Sequence, residues 1–200
     1  MKLYALLLTL TVAFPTNALV IHELEITEVV PATAQHAEMQ LKGASVRRAY
    51  GIVDTYVGVL YVADPSLSDE QLISADAARR MVFHVVSSRV SARRFTNAIN
   101  EGLSINIDSE TMKTIKPRVD KLVSLFDHKF VEGTIGYIQW NPEQQQSHIV
   151  IDGVEKGTVK GKDLNDAMLK IWIGEQPVSE RFKAEVLGRS YSQKNIDRRK

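Results

Sequence analysis

Residues 41–64, LKGASVRRAYGIVDTYVGVLYVAD, restrict the possible folds more than any other part of this chain. The stretch opens with small residues, Gly43-Ala44-Ser45, which read as a turn, and Arg47 and Arg48 follow directly. A strand-like run comes next, with Val53, Thr55, Val57, Val59 and Tyr61 on one parity and Tyr56, Leu60 and Val62 on the other. Alternate residues of a strand face opposite sides, and here both sides are largely apolar. A strand of that kind is covered on both faces. An arginine at its mouth is either a surface charge or the polar anchor of an apolar cleft. On the residues alone, an arginine pair beside a hairpin reads as solvent-exposed.

Taken in order, the rest of the chain alternates blocks of strands and helices. Residues 21–30, IHELEITEVV, read as a first, edge-like strand, broken by Pro31-Ala32-Thr33, and Gly51 marks a tight turn. Asp64-Pro65-Ser66 ends the long strand, and Ser68-Asp-Glu-Gln71 is a capping box opening a short helix. Residues 79–87 are β-branched and apolar, hence a strand. Ser91 opens a helix with a buried stripe of Phe95, Ala98, Ile99 and Leu103. A second helix spans 109–126, with Met112, Ile115, Val119, Leu122, Val123 and Phe126 inward and a kink or restart expected at Pro117. The period then drops to two: strands at 134–140 and 147–151 flank the turn Asn141-Pro142-Glu143, and Asp152-Gly153 signals a hairpin into 157–160. Asp163 is expected to cap a helix carrying Leu164, Ala167, Met168, Ile171 and Trp172, stopped by Gly174. A last helix follows Pro177-Val178-Ser179, carries Phe182, Val186 and Leu187, and ends at Gly188. Hairpins in place of regular βαβ crossovers predict an α+β domain, an antiparallel sheet with helices on one face.

The termini carry their own signals. Lys2, an apolar run over 3–14 and small residues at 16–18 read as a signal peptide over 1–18, too short for the about 20 apolar residues a bilayer span needs. The folded domain is expected over 19–188, followed by a basic, disordered polar tail over 189–200. The expected location is periplasmic or secreted, without stable membrane insertion. With 25 basic and 24 acidic residues the net charge is +1, which gives no general attraction to nucleic acid or to an anionic membrane.

The chain has no cysteine, which excludes disulfides, thiolate metal sites and cysteine nucleophiles. Nucleophile-elbow, zinc-protease and phosphate-loop patterns do not occur. The histidines, His22, His36, His84, His128 and His148, are dispersed, so no metal site and no cofactor are expected. His84, between Val82 and Val86, reads as a satisfied core or cleft histidine, and Asp69-Glu70 and Glu23/Glu25 as helix-start and strand-surface charges.

Three blocks together resemble a known family: GASVR over 43–47, TYVGVLY over 55–61, and KDLNDAMLKIWIGEQPVSERFKAEVLG over 162–188. In this order they resemble the chalcone isomerase-like family, and most of all its short, exported bacterial branch. The resemblance implies an open-faced β-sandwich, a large antiparallel sheet covered on one face by helices, with a ligand cleft between the two. It further implies an arginine after the small-residue turn that holds a flavonoid phenolate in the plant isomerases and a carboxylate in the fatty-acid-binding relatives. Arg47 matches that arginine by position, leaving Arg48 exposed. The catalytic threonine falls on Thr55 or, in a second alignment, on Tyr56. The catalytic tyrosine falls on Phe95, the asparagine on Gly102 and a C-terminal polar cleft position on Ile171.

Three polar groups are thereby lost, and the loss weighs differently on catalysis and on binding. Removing one donor from a stabilised oxyanion costs a factor of order 10² or more in rate. Binding needs less, because a buried ten-carbon chain yields ~8 kcal/mol at ~0.8 per methylene. A charge-assisted hydrogen bond adds roughly 1.5–3 kcal/mol, against an association cost of about 4–15. The expected function is therefore non-catalytic binding of a small amphipathic acid, fatty or phenolic. Arg47, Thr55, Tyr56, Phe95 and Ile171 would line the site. The alternatives are an isomerase or intramolecular lyase using Arg47 with Thr55 or Tyr56, and a protein-interaction module whose cleft is plugged by side chains such as Trp172, Phe95 and Tyr137.

Overall fold

The computed structural model describes residues 19–34, 36–127 and 129–192. The expected signal segment and the end of the basic tail lie outside these residues. Two short strands, β1 (Leu19–Ile21) and β2 (Leu24–Ile26), form a separate hairpin. The main sheet has seven strands, β3 (Val29–Val30), β4 (Met39–Ala49), β5 (Val53–Val62), β6 (Arg79–Val85), β7 (Ile135–Asn141), β8 (Gln146–Ile151) and β9 (Val154–Lys160). Their spatial order is their chain order and every neighbouring pair is antiparallel. The helices are α1 (Asp69–Ser74), α2 (Ala92–Asn106), α3 (Ser109–Ser124), α4 (Lys162–Ile173) and α5 (Glu180–Val186). This is the α+β open-faced sandwich expected from the sequence.

The two parities of the long strands bury two different cores. Leu60, Met81, Phe83, Ile138 and Ile149 face the helix layer and pack with Phe95, Ile99, Leu103, Ile115, Val119, Leu122 and Met168. Val57, Val59, Tyr61 and Val82 face the other way and are covered by Ile26 and Met39. Each fully buried large apolar side chain contributes roughly 1.5–3 kcal/mol of transfer free energy. The helix-side cluster is the larger of the two and dominates the stability of the domain.

Several local expectations are corrected. Gly43-Ala44-Ser45 is not a turn but the middle of β4, and its smallness has another cause. A β-carbon on Gly43 would stand 2.3 Å from the Glu185 carbonyl oxygen and 2.6 Å from the Gly188 nitrogen, so α5 lies directly on the strand there. Residues 21–30 are not one edge strand. His22 and Glu23, with φ of 51° and 64°, turn the chain between β1 and β2. Asp163 does not cap α4: the N-cap is Gly161, and the Asp163 carboxylate takes both terminal nitrogens of Arg118, each at 2.6 Å. Pro117 sits inside α3 without dividing it. The tail begins attached, because Arg189 returns an N–H to the Ala184 carbonyl and pairs with Asp69 at 2.8 Å. The capping box at Ser68, the Asp152-Gly153 turn with φ of 50° and 75°, and the Gly174 and Gly188 stops are as expected.

One arginine carries structural weight that its sequence context does not betray. Arg79, at the start of β6, is 4% exposed. Its Nη1 donates to the carbonyls of Leu72, Ile73 and Ala75 at 3.0, 3.2 and 2.8 Å, which are the orphan acceptors at the end of α1. Its Nε donates to Asn165 Oδ1 at 2.7 Å, and its Nη2 pairs with Asp166. Sheet, α1 and α4 are thus tied through one guanidinium. Arg79→Leu is expected to cost about 3–5 kcal/mol, since it strands buried polar partners. A urea midpoint within error of wild type would contradict that.

Candidate functional site

Two β-bulges aim the side chains at the mouth of the helix-facing side. The β4–β5 register shifts between Leu41 and Gly43 and again between Arg47 and Arg48, leaving Lys42 and Thr55 as extra residues. The second bulge places Arg47 opposite Tyr56 and Arg48 opposite Asp54. Arg48 Nε binds Asp54 Oδ1 at 2.7 Å at the exposed tip, where His22 Nε2 also approaches Asp54 at 3.6 Å. Arg47 is half-buried and gives one N–H to the Arg48 carbonyl. Among the described residues it forms no ion pair.

Tyr56 is the buried partner. Its hydroxyl accepts the indole N–H of Trp172, on α4, at 3.0 Å. No acceptor for its own proton appears among the described residues. Burial raises the phenol above its ordinary pKa, against smaller opposing effects of the Trp172 hydrogen bond and the nearby Arg47 charge. The ring is held edge-on by Phe95 at 6.2 Å and Phe182 at 6.0 Å between centroids. Phe182 reaches so close because residue 58 is glycine: a β-carbon there would stand 2.3 Å from Phe182 Cζ. Arg47, Tyr56 and Trp172 therefore form one polar constellation, a cation opposite a phenol whose proton has no acceptor among the described residues.

The remaining expected site residues separate. Thr55 is the unpaired residue of the second bulge, between Asp54 and Tyr56. Its hydroxyl is spent on the Arg47 carbonyl at 2.7 Å. Phe95 is 6% exposed and sits among Tyr56, Phe83, Phe126 and Phe130, with the Phe83 ring only 4.6 Å away. Ile171 is equally buried and meets Gly102, where a β-carbon would lie 2.7 Å from Ile171 Cγ2. Two positions at which the resemblance implies polar groups are thus in contact with each other, α2 against α4. The space between sheet and helices is filled by these aromatic rings and by Trp172. Tyr137 is not part of the plug: it lies on the opposite face, under the Arg80 guanidinium at 4.1 Å. His84 also lies on that opposite face, and partial burial lowers its pKa.

Two openings stand elsewhere. One of about 10 Å³ adjoins Arg79, Asn165 and Trp172 and has room for at most a single water. The other, about 390 Å³, is lined by charges of both signs, including Asp69, Glu70, Lys170 and Lys183, and includes none of the Arg47–Tyr56 group. Among the described residues no cluster of His, Asp or Glu could hold a metal ion. Among the same residues no helix is long and apolar enough to cross a membrane.

A sheet meander under a helix layer is the architecture of a chalcone isomerase-like domain. The sequence model of that family matches residues 18–188, and the chain belongs to the chalcone isomerase-like family. Among solved structures it is similar to a fatty-acid binding protein of Arabidopsis thaliana, at 17% identity and a TM-score of 0.66, covering 86% of this chain and 96% of that one. That likeness extends to the fold. No curated protein matches the chain.

The constellation makes a spectroscopic prediction. A phenol whose folded pKa is raised contributes stability that is complete below the unfolded value near 10. That contribution is lost as pH climbs from there through the folded value. In an ultraviolet titration Tyr56 is expected to ionise above the exposed tyrosines. Arg47→Met should push it higher still, because a favourable charge is removed. A Tyr56 titration that Arg47→Met leaves unchanged would show that the guanidinium does not act on the phenol.

Proposed function

We propose that this protein is an exported, periplasmic, non-catalytic binder of a small amphipathic acid, fatty or phenolic, with the anion held between Arg47 and Tyr56. The observation that carries this reading is a pair of uncommitted donors: a guanidinium that has no carboxylate partner among the described residues, opposite a buried phenol whose proton has no acceptor among them. Charge-assisted hydrogen bonds to a carboxylate are about twice as strong as neutral ones, and the constellation supplies a cation and a neutral donor together. The fatty-acid binding activity of the Arabidopsis thaliana protein of the same fold supports the choice of ligand.

The packed interior sets a condition on this function. An apolar tail has no ready void beside Arg47 and must displace side chains, Phe95 and Phe182 first, since both lean on the Tyr56 ring. The competent state is then only fractionally populated, and apparent affinity falls by that fraction. Ring-closing catalysis has less support. It needs donors around a developing enolate, and the inner wall offers Phe95, Gly102 and Ile171 instead. The aromatic plug favours a second reading, a protein-interaction module whose cleft is closed by its own side chains.

Thermal shift and native mass spectrometry with decanoate and dodecanoate separate the readings. An acid binder is expected to form a one-to-one adduct and to melt higher with ligand. Arg47→Met should weaken the adduct about 10–100-fold, the worth of one charge-assisted hydrogen bond. No adduct, or a shift indifferent to Arg47, would favour the closed module. Chalcone turnover that collapses in Arg47→Ala would return the protein to the isomerases.

A further inference from the structure

We propose that the sheet end carrying the β4–β5 hairpin docks on an anionic lipid surface. The hairpin tip is Tyr50-Gly51-Ile52, with Tyr50 96% and Ile52 84% exposed. These are the most exposed large hydrophobic side chains among the described residues. Both Tyr50 and Gly51 have positive φ, 53° and 73°, and the Ile52 N–H closes the turn on the Ala49 carbonyl at 3.2 Å. Glycine takes that conformation at no cost, whereas a bulky side chain there is strained. Asparagine would suit position 50 better, and the tyrosine ring recovers nothing from packing. An aromatic held in solvent at a conformational cost is a feature the fold itself does not ask for.

The surroundings supply the complementary charge. The Val86 N–H binds the Thr55 carbonyl, so the loop over 86–91 and the start of α2 lie at the same end of the sheet as the tip. That segment presents Arg89, Arg93 and Arg94, all exposed. None of the ion pairs formed by the described residues involves them. Arg48 stands beside the tip, neutralised by Asp54. Val131, Ile135 and Val154 extend the apolar rim along the same end, because Thr134 pairs with Val85 and Asp152 with Ile135. Of the acidic residues near this end, Asp152 is engaged with the Ile135 N–H at 2.8 Å, Glu155 is paired with His148 at 3.2 Å, and Glu132 and, next to His22 by the tip, Glu23 are exposed, against the three arginines of the 86–94 segment. The basic half, β4 to α2, therefore leads. A near-neutral chain hides this asymmetry, since its overall charge of +1 sums the two ends.

Apolar side chains at the tip with unpaired arginines behind them match a headgroup layer. The tyrosine and isoleucine enter the interface, and each nearby arginine adds attraction to anionic lipid that salt screens. The surface is separate from the acid site: it uses neither Arg47 nor Tyr56.

Vesicle flotation of the purified protein tests the proposal. Wild type is expected to float with phosphatidylglycerol-containing vesicles at low salt, to be released by added salt, and to ignore pure phosphatidylcholine. Tyr50→Asn should raise the melting temperature and lower partitioning about tenfold, because it relieves the turn and removes the interfacial ring. Arg89→Gln with Arg93→Gln should lower it by at least about tenfold. No flotation at low salt, equal flotation with pure phosphatidylcholine, or variants that float like wild type would overturn it. Dimerisation through the tip that Tyr50→Asn abolishes would assign the surface to a second copy and overturn the lipid reading. Lost flotation beside an intact decanoate response, or the converse, tells the failure of one site from that of the other.

Discussion

Close approach of backbone to backbone and ring to backbone is what holds the two layers of this domain at their spacing. Between the layers Phe182 rests on Gly58 and the end of α5 on Gly43, and within the helix layer Ile171 of α4 rests on Gly102 of α2. At each place a β-carbon would stand below 3 Å from its neighbour, so side chains are excluded by geometry and not by preference. The sheet can accept a helix layer this near only along a strip with no side chains. Everything at the candidate site follows from that nearness: the Tyr56 ring is gripped, its hydroxyl meets Trp172, and the interior has no slack.

The sequence-level reading and the folded chain agree where a rule acts over a few residues. The Ser68 capping box, the Asp152-Gly153 turn and the burial of Phe95, Ile99 and Leu103 on α2 each depend on neighbours within one or two turns of chain, whereas Ala98, expected in the same stripe, is exposed. They part where the deciding contact comes from far along the sequence. Gly43 has the look of a turn glycine, yet the partner that demands it is α5, more than a hundred residues later. Asp163 has the look of a cap, but Arg118 claims its carboxylate. The bulge at Thr55 decides which of two adjacent polar residues faces the helices, and no periodicity announces a bulge. The cleft followed the same pattern. The apolar residues Phe95, Gly102 and Ile171 are each legible singly, whereas the contact of Gly102 with Ile171 and the packing of Phe95 on Tyr56 and Phe83 are not.

Two arginines near opposite ends of the long β5–β6 pairing show how one residue type is put to different uses. Arg79 gives its donors to helix-end carbonyls, an amide and a carboxylate, and is inert because it is fully engaged. Among the described residues the Arg47 guanidinium is bound by its neighbour's carbonyl alone, and it stands opposite a phenol. Burial alone would single out Arg79, whose donors are already engaged. The distinguishing property is unspent hydrogen-bonding capacity, and this also separates Tyr56 from Tyr61, whose hydroxyl is taken up by Thr27.

The meander adds each strand beside the one just made, so the sheet can grow in the order in which the chain is synthesised. Its closure breaks that order. Ser45 on an early strand hydrogen-bonds Glu185 at 2.5 Å, and Phe182 covers Gly58, so the first long hairpin waits for the last helix. Until residues 180–186 arrive, that hairpin carries an open greasy groove with its aromatic floor in water. Domains generally fold as units, from the N-terminus onward during synthesis. Here the first long hairpin stays unsealed until residues 180–186 have been made, which gives a holdase a long interval in which to grip it.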